Sequence, residues 1–96
     1  MPKGYWVAHV TITDPDKYPD YLAAAKPAFE EYGARFLARG GNHDCVEGAT
    51  GERHVIIEFE SFEQALACYN SDAYQKAAAI RQAAAKSTLT VIEGAD

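Results

Sequence analysis

An α+β sandwich, one four-stranded antiparallel sheet with helices on a single face, is the fold this sequence predicts. Three observations predict it. The runs YWVAHVTI, ARFLAR, RHVIIEFE and STLTVIE carry the β-branched and aromatic residues of strands. The segments between the first pair and before the last place apolar residues at helical steps. The resulting order is strand, helix, strand, strand, helix in two pieces, strand, which packs most simply as a ferredoxin-like βαββαβ unit. At 96 residues the chain, 1–96, is one domain.

The first strand is Tyr5–Ile12. After it, Thr13 is placed to cap a helix, with Asp14 and Asp16 meeting the positive helix end. Tyr18, Leu22, Ala25, Phe29 and Tyr32 form the buried stripe of that helix, Pro19 and Pro27 disturb it, and Gly33 ends it. The second strand, Ala34–Arg39, is interrupted at Gly40-Gly41 by a bulge and continues over Asn42–Glu47. Turn residues in EGATGE lead to the third strand, Arg53–Glu60. Ser61 and Gln64 make a capping box for a helix ending near Asn70. Ser71 caps the next, from Asp72 to about Lys86, and Ser87–Glu93 is the last strand.

Hydrophobic content of 48% with 24% charged residues is that of a globular chain. A net charge of −5 with nine scattered basic residues argues against nucleic acid, whose phosphates need clustered Lys and Arg. The amino terminus enters a strand within four residues and no apolar run approaches the ~20 that span a bilayer, so the expected place is the cytoplasm, away from membranes. Cys45 and Cys68 are expected as free thiols.

Alternation splits each strand into two faces. Trp6, Ala8, Val10 and Ile12 suit the helix side, as do Val55, Ile57 and Phe59. The other side then collects Tyr5, Val7, His9, His54, Ile56 and Glu58, joined by Arg35, Leu37, Arg39, Thr88, Thr90 and Ile92. Such a half-apolar face calls for a cover. The same face of a second chain supplies one, giving a homodimer whose sheets enclose a barrel-like space.

Glu58 inside VIIEFE must be paired or shift its pKa. It is either ion-paired with Arg35, Arg39 or a histidine, or a general base assisted by His9 or His54. Tyr74 and Arg81, seven residues apart, share a helix face, with Arg81 paired to an acid as the plain structural role. Gly40-Gly41 lacks the Lys-Ser/Thr of a phosphate loop, and adjacent His43, Asp44 and Cys45 point to alternating sides and cannot converge on a metal. No metal spacing or dinucleotide fingerprint occurs, so no metal or cofactor is expected.

The phrases KGYWVAHVTITDPDKY, AKPAFEEYGARFLARGG, VIIEFESFEQALACYNSDAYQKAAAIRQAA and TVIEG together resemble DUF1330, a bacterial family of unknown function. The resemblance implies a dimeric α/β-barrel, in a superfamily with cofactor-free monooxygenases, muconolactone-type isomerases and haem-binding relatives. It points to Arg39 in the RGG phrase, and to Asn70, Tyr74 and Arg81, as ligand-binding positions. Three functions follow as expectations. One is a homodimer binding a small anionic or aromatic molecule in or beside the barrel, oriented by Arg39, His9, His54 and Glu58. The second is a cofactor-independent monooxygenase or isomerase in which Glu58 or His9 moves a proton. The third is a purely structural or regulatory dimer.

Overall fold

Alternation in the two central strands decides which side of the sheet the helices take. In the computed structural model, which describes residues 2–95, the elements are β1 Gly4–Ile12, α1 Tyr18–Glu31, β2 Arg35–Arg39, β3 Arg53–Phe59, α2 Phe62–Asn70, α3 Asp72–Ala84 and β4 Ala85–Glu93. The strands form one antiparallel sheet in the order β2-β3-β1-β4, a ferredoxin-like α+β fold. Trp6, Val10, Val55, Ile57 and Phe59 are buried under the helices. On the opposite side Tyr5 lies between Glu58 and Ile92, Val7 between Ile56 and Thr90, and His9 between His54 and Thr88.

Trp6 is the centre of the core. Its ring meets Phe29, Phe59, Tyr69 and Tyr74 with centroids 4.8–5.9 Å apart, mostly edge to face. Its indole N–H donates to the Ala65 carbonyl at 2.9 Å, so the polar end of a fully buried ring is satisfied. Small alanines on the inward faces of α1 and α3, among them Ala25, Ala28, Ala77 and Ala78, let the two helices approach closely.

Several local expectations are corrected. Thr13 does not cap α1: its N–H is drawn to the Ala84 carbonyl at 2.9 Å. Asp14 instead accepts from the backbone of Asp16 and Lys17, and Pro19 fits the first turn, where an N–H is dispensable. The inward stripe of α1 runs through Tyr18, Tyr21, Ala25 and Ala28, with Phe29 and Tyr32 partly buried, and Leu22 is exposed. Ser61 caps α2, accepting from the Gln64 N–H at 3.0 Å. The Gln64 side chain, however, reaches across to the Tyr32 carbonyl and leaves the box half made. Ser71 serves two helices, donating to the Cys68 carbonyl at 2.7 Å and accepting from the Tyr74 N–H. Residues 42–47 form no strand, because β2 is the edge of the sheet and no neighbour pairs with them. α3 stops at Ala84, two residues before the expected end.

The most consequential correction concerns β2. Phe36 pairs with Ile57 and Ala38 with Ile56, so Leu37 is an extra residue and the bulge lies there rather than at Gly40-Gly41. Beyond it the phase of the strand is inverted. Ala38 joins the uncovered face, and Arg39 pairs with buried Val55 on the helix side.

Candidate functional site

The helix side of the sheet holds a cavity of about 560 Å³, bounded by α1, the carboxyl-terminal turn of α3 and all four strands. This is the size of small-ligand sites generally. Its walls are mainly apolar, with Trp6, Val10, Phe36, Val55 and Leu89 among them. Its charges are lopsided. Four of the nine basic residues, Lys26, Arg39, Arg53 and Arg81, line it, against Glu30 alone of the fourteen acidic ones.

Arg81 is the deepest of these, 7% exposed. Its Nη1 donates to the Tyr74 hydroxyl at 2.5 Å, and its buried Nε has no hydrogen-bond partner. Among the described residues the ion pairs are Lys3–Glu60 and Arg35–Glu58, so Arg81 has no carboxylate. The acid partner expected for it from sequence is absent among the described residues. A buried guanidinium without a counter-charge is costly, and its free donor edge suits an anion.

Two tyrosines stand beside it. Tyr21 and Tyr74 hydroxyls are 2.8 Å apart, and either can donate to the other. Arg81 can only donate, so Tyr74 spends one lone pair on it. When Tyr74 gives its proton to Tyr21, the Tyr21 proton is available to the cavity that Tyr21 lines. Burial, reinforced by neighbouring Tyr21, pushes the Tyr74 phenol far above its usual pKa, so it remains a neutral donor. Burial also raises Tyr18, with Tyr21 adding to it and Arg53 and Arg81 pulling the other way.

The sites expected from sequence divide between the two faces. Arg39 and Arg81 line the cavity and Tyr74 is buried behind it, packed against Trp6. Arg39 was expected beside His9 and His54, but the bulge at Leu37 carries it through the sheet, where its guanidinium stacks on the Phe36 ring at 3.6 Å. Asn70, exposed at the end of α2, does not line the cavity.

His9, His54 and Glu58 lie on the uncovered face. Glu58 forms an ion pair with Arg35 and accepts from the Tyr5 hydroxyl at 3.1 Å. This bond, followed by burial, raises the Tyr5 phenol. His9 faces His54, two cross-strand pairs away from Glu58 on that face, roughly 13 Å along the strand at 3.3 Å per residue. Glu58 and His9 therefore serve different partners.

Sequence reasoning missed Tyr18, Tyr21 and Arg53. Tyr18 and Tyr21 were legible as a three-residue helical step. Arg53 was not, since it reads as the polar start of a strand.

Among curated proteins, none matches this chain in sequence. Solved structures share its fold. A protein of unknown function from Rhodopseudomonas palustris is 20% identical with a TM-score of 0.74, covering 99% of this chain and 84% of that one. A dimeric ferredoxin-like protein of unknown function from Jannaschia sp. is 15% identical with a TM-score of 0.72, covering 95% and 98%. SnoaB, a cofactor-independent oxygenase from Streptomyces nogalater, is 11% identical with a TM-score of 0.67, covering 100% and 96%. Residues 3–95 match DUF1330, a domain of unknown function, and the chain belongs to that family.

Proposed function

We propose that this protein binds a small organic anion with an apolar body in the cavity between α1 and the sheet. The observation that carries this reading is Arg81, buried without a carboxylate partner and with its Nε unsatisfied, at the wall of a mostly apolar cavity. The Tyr21 hydroxyl offers a second donor. The site thus lies beneath the helices of each protomer, on the side of the sheet away from the barrel-like space expected from sequence.

The other face supports the assembly. Leu37, Ile56 and Ile92 are exposed there at 57%, 37% and 51%, an apolar patch that a second copy of the face covers. The Jannaschia protein of this fold is dimeric. A homodimer paired sheet to sheet, in a cytoplasm that keeps Cys45 and Cys68 reduced, completes the reading.

The single tryptophan lines the cavity and gives the test. Benzoate should change Trp6 fluorescence saturably while neutral benzamide binds at least tenfold more weakly, and Arg81→Gln should remove the difference. Equal response to both compounds, or to neither across a panel of aromatic and aliphatic carboxylates, would refute the anion site.

A second reading, a cofactor-independent monooxygenase or isomerase using Glu58 or His9, draws support from the fold shared with SnoaB. Turnover of a bound carboxylate or uptake of dissolved oxygen, lost in Glu58→Gln and His9→Ala, is its signature. Variants of both faces that change only stability would leave a structural or regulatory dimer.

A further inference from the structure

A second guanidinium carries the chemistry of the cavity further. Arg53 opens β3 opposite Val10, and its Cζ lies 5.9 Å from the centre of the Tyr18 ring. Its Nε is buried and has no hydrogen-bond partner, the same condition as that of Arg81. The chain makes room for this side chain at residue 40. A methyl group there would overlap Nη1 of Arg53 and stand 2.9 Å from its Cζ, and Gly40 has φ +65°, a conformation side chains disfavour. The first glycine of the RGG phrase is thus a seat for an arginine.

Arg39, on the neighbouring strand, lines the same cavity through its stack on Phe36. Among the described residues neither Arg39 nor Arg53 has a carboxylate within ion-pair distance. A ligand with one negative charge, seated on Arg81, would leave the buried Nε of Arg53 unsatisfied, which costs free energy. A second anionic group removes that cost. The apolar wall formed by Trp6, Val10, Val55 and Leu89 suits the hydrocarbon that joins the two groups.

Resting on the anion-site reading above, we propose that the ligand is an organic dianion, a dicarboxylate with an apolar body, one carboxylate on Arg81 and the other on Arg53 with Arg39 beside it. Titration calorimetry on the full chain tests this with benzoate against phthalate, isophthalate and terephthalate, and with hexanoate against glutarate, adipate and pimelate. At least one dicarboxylate should bind tenfold or more tightly than its monocarboxylate counterpart. Arg53→Gln should erase that advantage while leaving the monocarboxylate within about twofold, and Arg53→Lys, which keeps the charge, should retain part of it. If monocarboxylates bind and no dicarboxylate of any spacing binds better, the dianion is refuted and the anion site stands. If Arg53→Gln weakens both kinds equally, Arg53 only supports the fold and the proposal fails. Absence of binding by every carboxylate removes both readings.

Discussion

His9 and His54 face each other across the central strand pair with their Nδ1 atoms 2.8 Å apart. At that distance only one of the two facing nitrogens can carry a proton, which it donates to the lone pair of the other. The edge of the His43 ring closes over His54, centroid to centroid at 4.3 Å. Three imidazoles thus crowd one region of the uncovered face.

Stability should therefore depend on pH through His54. Burial first, then the neighbouring His43 and His9, hold its pKa below the usual 6.5. The unfolded chain binds a proton there that the folded chain resists, so this contribution is fully present above about 6.5 and is lost as pH falls below it. Thermal unfolding midpoints should decline between pH about 7 and 5, and His54→Gln should flatten the decline. The hydrogen bond and charge of Lys3 lower Glu60, so its contribution is present above the usual 4.5 and is lost as pH falls below that, mostly beneath this window.

Arg81→Met should stabilise the protein while abolishing anion binding. The methionine fills similar volume without burying a charge, and the Tyr74 hydroxyl keeps its bond to Tyr21. Replacing buried ionic groups by apolar ones is commonly neutral or stabilising, here by on the order of 1 kcal/mol. Denaturant unfolding measures it. A loss of 3 kcal/mol or more would mean that Arg81 is structural.

Gly51→Ala should destabilise by about 1–3 kcal/mol through overpacking. A Cβ on residue 51 would stand 2.7 Å from the backbone nitrogen and oxygen of Val10, and β1 cannot yield there without disturbing the sheet. Gly41→Ala is the matched control, since nothing lies near its Cβ. The comparison is read from urea midpoints.

The two thiols should differ sharply in reactivity. Burial pushes Cys68 up to about 12, with Glu31 adding to the effect, whereas Cys45 is exposed. Ellman's reagent should titrate one thiol in the native protein and two in denaturant, and Cys45→Ser should remove the native reaction entirely.

The two-sided character of β1 and β3 was legible because their alternation is unbroken over seven to nine residues. The faces of Trp6, His9, His54 and Glu58 followed directly from it. The edge strand was less legible. Nothing in RFLAR marks Leu37 as the extra residue, and the glycines that follow attracted the bulge to the wrong place. In α1, Leu22 fits a helical stripe as well as Tyr21 does, and only the packing of α1 on α3 chooses between them. The pairing of Tyr74 with Arg81 on one helix face was readable, but the missing acid was not. A counter-charge can come from anywhere in a chain with fourteen acidic residues, so its absence is a fact of three-dimensional arrangement.

The extra residue at Leu37 works as a parity change along β2. Before it, even-numbered side chains look toward the cavity; after it, odd-numbered ones do. Deleting that single leucine would return Arg39 to the uncovered face and send Ala38 beneath the helices, with no side chain other than Leu37 altered. In this architecture the length of an edge strand, as much as its composition, decides which residues face the cavity and which face away from the helices. Relatives that differ by one residue in this strand would exchange those roles while their aligned letters stayed nearly the same.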